Sequence, residues 1–534
     1  MSDSSKKQTF LHGAALLAIA TAVVKVIGAL YKIPLKMVIG DQGYGYFMTA
    51  YDIYSVLLMI STTGLPIAMS RMISQSSSLG HHSQVRRVYK VSRVAFLILG
   101  VGGTLLMMLF SHQLAAFQKQ PDAWVSIFCL GPCALFMCVM SAYRGFFQGQ
   151  SNMRPTSTSQ MLEAVVKLVV GLVIAFAVMR YTNSIPLAAG GAILGVSVSC
   201  LVSMLFLYGK FRPEYRELPQ TEEAPIPYKT IVKNLLAIAV PITIGSAGLQ
   251  MLTVLETNLY MGQLLTAGGH SQDAADTMKG IYNMAQTIFN MPCAFIIPIT
   301  TSVLPTITAH LTLKDDRAVR STEESAARIA GLISLPCTVG LCLLASPVMS
   351  LLGGYEGEKL ELAAKLMMLL AICIFPYGVI QFTNSILQSH GFAHVPVINM
   401  LLVGAIKLAV VYVFVGNPTL GILGAPLGAI LCYTCICVLN LLAIRRRVPQ
   451  KPALLKNLLR PLLSAAIMGV AVWGCSWGIE KLLGTDCSRI ISCGVPIMVG
   501  VVVYFACVVV LKAITREDCQ LLPKGDKIAK LLKL

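Results

Sequence analysis

Charge is what this sequence has least of. Asp, Glu, Lys and Arg make up 12% of the 534 residues, against 56% hydrophobic ones. An ordinary soluble protein carries roughly twice that charged fraction, so a large soluble enzyme is excluded. No nucleic-acid-binding motif accompanies the net charge of +18. The basic residues lie mostly in short loops, where they set membrane topology, and no nucleic-acid partner is expected. A disulfide framework is lacking too: the 16 cysteines are scattered along apolar stretches. The Cys-x-x-Cys pair Cys432/Cys435 reads as small packing residues. His390 and His394 have metal-compatible spacing, but no third ligand stands near them in the sequence. They read as a polar helix end, and no metal or organic cofactor is expected. The N-terminus lacks the short apolar core and small-residue cleavage site of a signal peptide. Its apolar run passes Lys25 and continues to about Ile39, as an uncleaved spanning helix would.

What is present is hydrophobic length. Apolar runs of about 20 residues recur along the whole chain, about fourteen of them, each able to cross a bilayer as a helix. The expected fold is an all-α polytopic membrane protein. An N-terminal six-helix lobe (1–208) is followed by a polar linker (209–230) and a C-terminal six-helix lobe (231–447). Helices 13 and 14 (448–515) and a basic tail (516–534) complete it. An even number of spans puts both termini on one side. With the N-terminus inside, cytoplasmic segments hold about 30 of the 42 Lys and Arg and external ones about 8. Both termini are therefore expected in the cytoplasm, under a bacterial-type plasma membrane.

The two lobes look alike. Leu65–Pro66 recurs at Leu304–Pro305, Tyr46–Met48 at Tyr282–Met284, Val166–Val170 at Ile406–Val410, and Gly191–Leu194 at Gly428–Leu431. The offsets are about 236 to 240 residues throughout. Six helices per repeat make the repeats parallel. Such repeats support alternating access by rocking one half against the other around a central cavity.

The informative residues are the charges inside the apolar runs. Lys25 and Lys32 differ by only about 20° around a helix, and Lys36 adds roughly 40° if the helix survives Pro34. A central lysine facing lipid costs ~2.5–3.5 kcal/mol, so this stripe should face water or a carboxylate. Lys32 and Lys36 could instead snorkel to the headgroups. Asp52, in the second span, could balance Lys25 or titrate during transport. Glu163 and Lys167 sit at i,i+4 with the acid first, the better order for an intrahelical pair. Lys407 is the repeat partner of Lys167, and Val403 stands where Glu163 stands in the first lobe. Glu256, near the outer end of the seventh span, is a candidate for ion coupling. Together these charges predict a net basic cavity suited to a phosphate or diphosphate.

Three blocks carry a family resemblance: Val24–Leu35 with Gly43–Ser55 and Gly64–Ser74, Tyr282–Pro292, and Leu423–Tyr433. The chain resembles the stage V sporulation protein B type of polysaccharide transporter over nearly its whole length. That group belongs to the multidrug/oligosaccharidyl-lipid/polysaccharide exporter superfamily, which includes lipid II flippases. The resemblance implies a flippase, not an enzyme, that moves an undecaprenyl-diphosphate-linked saccharide from the inner to the outer leaflet. Such a saccharide serves cell-wall, spore-cortex or surface-polysaccharide synthesis. It implies Lys25 as a cavity cation; Lys32 and Lys36, which do not match that position closely, join Lys167 and Lys407 as substrate-binding candidates on their own charge. Asp52, Glu163 and Glu256 are the acids for coupling to sodium, protons or the membrane potential. Helices 13 and 14 are implied as a groove for the lipid tail, so membrane lipids are partners as well. Gln286 and Thr287 stand where the more distant lipid II flippases carry a charged pair, which shifts charge recognition toward Lys167 and Lys407.

The alternatives are a multidrug antiporter of the same superfamily, a membrane glycan polymerase or ligase, and a non-transporting envelope scaffold. A dominant intramembrane acid would favour the antiporter. An enzyme would need a large external loop, and the longest one expected (257–278) offers only His270, Asp273 and Asp276. Lys25→Glu is expected to abolish transport while leaving membrane insertion intact. Wild-type transport by that variant, measured in reconstituted vesicles, would remove Lys25 from the pathway.

Overall fold

In a computed structural model of the chain, every regular element among the described residues is a helix. The structure describes residues 3–219, 226–483, 488–515 and Asp518, without the side chains of 3–22, 25, 26, 249, 297–302, 305 and 483. The chain forms two compact units, Met1–Gly280 and Ile281–Leu534.

The first unit holds α1 (Asp3–Met59), α2 (Leu65–Ser78), α3 (His82–Leu109), α4 (Ser111–Phe117), α5 (Trp124–Gly149), α6 (Arg154–Thr182), α7 (Ile185–Glu217) and α8 (Tyr228–Thr266). It ends within the first turns of α9 (Gln272–Thr312). The second unit holds the rest of α9, α10 (Asp316–Leu343), α11 (Ala345–Gly353), α12 (Gly357–Ile372), α13 (Ile374–Ser389) and α14 (His394–Val415). It continues with α15 (Gly424–Arg447), α16 (Leu454–Asn457), α17 (Leu459–Leu483) and α18 (Arg489–Val510).

Twelve stretches of the described residues are long and apolar enough to cross a membrane. The fourteen expected segments map onto them with two differences. Ile27–Ser78 runs for 52 residues, about twice one crossing, and contains the end of the first expected span and all of the second. The eighth expected span falls in α9, which includes side chains outside the description. The first two spans merge because α1 does not stop between them; it kinks. Gly40 takes φ 70° and ψ −175° inside the helix, a conformation open to glycine at little cost. Lys36 and Asp41 form an ion pair of 3.2 Å across that break. Pro34, nearly two turns earlier, stays inside the helix.

A π-helical turn, Ile60–Gly64, joins α1 to α2. The hydroxyls of Ser61 and Thr62 each donate to a carbonyl four residues back, both at 2.7 Å. Such turns are commonly found at functional sites.

Small residues set the helix spacing in the first unit. A Cβ on Gly195 of α7 would collide with the backbone of Gly171 on α6, so the two helices meet main chain to main chain, as small-residue interfaces in membranes do. Tyr31 ties α1 to this pair: its hydroxyl donates to the Ala192 carbonyl at 3.3 Å, and its ring lies 6.0 Å from that of Phe47.

In the second unit, α10 is the hub. Glu323 meets His390, at the C-terminal end of α13, at 2.7 Å, which gives that histidine a structural partner. Arg328 reaches Asp518 at 2.9 Å and Asn457 at 3.1 Å. Glu324 accepts the Ala453 backbone N–H at 2.9 Å. These bonds fasten the segments that flank α17 and α18 to one end of α10. Gly195→Leu is expected to split α6 from α7, lowering the detergent-solubilised melting temperature and the yield of inserted protein. Thermal unfolding of purified variants checks it.

Candidate functional site

The first unit gathers its buried charge around the second half of α1. Lys279, in the second turn of α9, has no solvent exposure. Its ammonium donates to Gln120 Oε1 at 2.8 Å and to the Thr49 hydroxyl. Gln120 spends its other end on Asp276, donating from Nε2 to Oδ1 at 2.8 Å. Asp276 also accepts from the Tyr46 hydroxyl at 3.2 Å and from Gln272 Nε2 at 3.0 Å. One amide thus bridges a buried cation and a buried anion and satisfies both, which a low-dielectric site requires. Tyr46 and Thr49 project from one side of α1, three residues apart. Asp276 and Lys279 project from one side of α9 by the same spacing.

A second layer lies further along α1. Asp52 accepts from the Thr257 hydroxyl of α8 at 3.4 Å and lies within electrostatic reach of Lys279, Lys32 and Glu256. Glu256 is 8% exposed. Lys32 is half-buried, with its ammonium 6.0 Å from the centre of the Tyr51 ring. Lys167 of α6 is close enough to Lys32 to repel it. The structure therefore brings Lys32, Lys167, Asp52 and Glu256 together, with Lys279 as an added cation. Two half-buried lysines within electrostatic reach of each other can meet the same anion. Two carboxylates and a threonine hydroxyl beside them form an oxygen-rich corner suited to a small cation or a proton.

Other predicted residues take different places. Lys36 is buried against Asp41 at the α1 kink, not displayed at a headgroup interface. Glu163 pairs with Arg144 of α5 at 3.1 Å, and Arg144 also donates to Ser159 at 3.0 Å. The i,i+4 pairing of Glu163 with Lys167 that the spacing predicts does not form. Lys407 belongs to the second unit, half-buried at a recess of about 320 Å³ between α14 and α15. The side chain of Lys25 lies outside the described residues. Among the described residues no group of three or more His, Cys, Asp or Glu could hold a metal ion.

Sequence reasoning missed Lys279, Gln120, Asp276 and Arg144. Asp276 and Lys279 stand at i,i+3 beside the eighth apolar run, a signal that they share a helix face. Nothing in the sequence signals Gln120, because its role depends on two other elements.

The second unit adds an apolar groove of about 470 Å³ between α10, α17 and α18. Pro336, Gly340, Met468, Gly500, Val501 and Phe505 line it. Tyr504, also in the lining, donates its hydroxyl to the Leu332 carbonyl at 2.7 Å.

Spanning helices that bury a mixed charge cluster are the mark of a membrane transporter rather than an enzyme. The comparisons agree. Residues 10–310 match the family described as polysaccharide biosynthesis protein, and residues 272–356 match a second family of the same description. The chain belongs to the polysaccharide biosynthesis protein family. It is 23% identical to the stage V sporulation protein B of Bacillus subtilis (strain 168), over 97% of this chain and 98% of that one. It is 24% identical to the lipid II flippase MurJ of the same organism, over 88% of each. Among solved structures, a lipid II flippase MurJ in an inward closed conformation matches with a TM-score of 0.69 at 13% identity. That match covers 93% of this chain and 98% of that one.

Gln120→Leu is expected to take one partner from each buried ion, leaving Lys279 only Thr49 and Asp276 only Tyr46 and Gln272. An unsatisfied buried group costs about 1–3 kcal/mol, and more when charged, so the melting temperature should fall by several degrees. Combining Lys279→Met with Asp276→Asn should cost less than the sum of the two single changes, read as a double-mutant cycle of thermal unfolding.

Proposed function

We propose that this protein is a flippase for an undecaprenyl-diphosphate-linked saccharide, such as lipid II or another polysaccharide precursor. It carries the head group across the cytoplasmic membrane by alternating access. The observation that carries this reading is the placement of Lys32 and Lys167, two half-buried cations of spanning helices within electrostatic reach of each other. A diphosphate supplies two charges and several acceptor oxygens to such lysines. Lys25 and Lys407 are the further cations proposed to meet the substrate. The groove along α17 and α18 suits the polyprenyl tail, because its walls are apolar and a tail needs no hydrogen bonds. The similarity to stage V sporulation protein B and to the lipid II flippase supports the same substrate class.

Asp52, Glu256 and Thr257 are the oxygen ligands for a coupling sodium ion or proton. Both termini are placed in the cytoplasm, following the charge bias of the loops.

The reading is tested by replacing an essential lipid II flippase with this chain and measuring outer-leaflet lipid II directly. Growth and flipping are expected. Absence of both would sink the peptidoglycan assignment and leave other lipid-linked glycans as the cargo. Within a working assay, Gly340→Trp should fill the tail groove and slow transport at least tenfold, while head-group binding by the purified variant stays within twofold of wild type.

A further inference from the structure

Away from the charge cluster, the first unit carries a second basic feature that the transport reading does not use. Where the polar ends of α3 and α7 meet, a recess of about 480 Å³ is lined by Tyr89, Lys90, Arg93, Tyr208, Arg212 and Arg216, among others. We propose that this recess binds the phosphate headgroup of an anionic glycerophospholipid, whose acyl chains lie along the adjoining apolar face of α3.

Three observations carry the proposal. The first is a rigid floor. The Tyr89 ring lies 4.6 Å from that of Phe211 and 5.2 Å from that of Tyr215, with Phe146 at 5.7 Å. Arg86 fixes the end of α7: its guanidinium sits 5.3 Å from the Tyr215 ring centre and donates to the Arg216 carbonyl at 3.4 Å. The recess is therefore built before any ligand arrives.

The second is unspent charge. Lys90, Arg93, Arg212 and Arg216 are all exposed. Among the described residues none of them has a carboxylate partner, whereas Arg144, Arg320 and Arg328 all do. The nearby acids are Glu214 and Glu217 on α7. Glu214 accepts from Asn152 at 3.3 Å and faces Lys210, and Glu217 is exposed. Four cations against two acids leave the recess net positive, and Tyr208 can add a hydroxyl donor. Planar guanidinium groups suit phosphate oxygens in particular.

The third is what lies next to the charge. Along α3 the sequence turns apolar directly after Arg93. Val94 and Ile98 are 54% and 67% exposed, and Val101 and Leu105 continue that stripe. On α7, Leu205 is likewise exposed, one turn before Tyr208. A free phosphate would use only the cations. A phospholipid uses the cations and the stripe together, which is the arrangement seen where basic residues flank spanning helices.

The test uses the full-length purified protein in detergent, with native mass spectrometry reading bound lipid. Phosphatidylglycerol is expected to be retained at least tenfold more than phosphatidylcholine of the same acyl chains. The quadruple variant Lys90→Gln, Arg93→Gln, Arg212→Gln, Arg216→Gln should lose that preference. Lys359→Gln with Lys365→Gln, on α12, should keep it. Millimolar inorganic phosphate should displace little of the lipid. Equal retention of the two lipids by the wild type, an unchanged preference in the quadruple variant, or full displacement by phosphate would each overturn the proposal. As a readout on the unaltered protein, phosphatidylglycerol with a photoreactive acyl chain should label α3 between Val94 and Leu105. Labelling confined to other helices would equally overturn it.

Discussion

A charge carried into an apolar helix must be met by other protein groups, because hydrocarbon offers none. Lys279 shows what that constraint organises. Its ammonium has no solvent and finds Thr49 of α1 and Gln120 of the turn before α5. Gln120 then fixes Asp276, and Asp276 fixes Tyr46. Three segments far apart in sequence are held in register by one cation and the amide that answers it. The second half of α1 is thereby positioned, and with it Asp52, which faces Thr257 of α8.

The same constraint separates the two kinds of charge in the first unit. Lys36 with Asp41 and Arg144 with Glu163 are closed pairs that brace a kink and join two helices. Lys32 and Lys167 repel each other, and Asp52 and Glu256 stand nearby. A closed pair stabilises a fold. Lysines within reach of each other are instead free to meet a ligand of opposite sign, which is what the proposed function asks of them. The second unit answers its constraint differently. Its apolar groove along α17 and α18 holds no charge among its lining residues. The polar contacts are kept at one end of α10 by Arg328, Glu324 and Glu323.

Much of this was legible in the sequence, unevenly. Lys32, Lys167, Asp52 and Glu256 stand out as charges in apolar runs, and the structure gathers them in one region. Glu163 was legible as a charge but not as a partner of Arg144, because i,i+4 spacing reports only neighbours on the same helix. The kink in α1 is visible at most as a proline. The actual break is at Gly40, with a left-handed φ that Lys36 and Asp41 brace across it. Gln120 was illegible: a neutral amide in a turn has no signal until two ions from another helix are placed beside it.

The sequence by itself determined that the chain crosses a membrane many times as helices, and several of the charges that would be buried by doing so. Those follow from transfer free energies and local composition, which each segment carries alone. Only the tertiary structure decided which charges meet. That depends on the rotation of each helix about its axis, on the bend at Gly40, and on the approach of α6 to α7 that Gly171 and Gly195 permit. Each of these is set by packing between distant segments, so none is a property of any one of them.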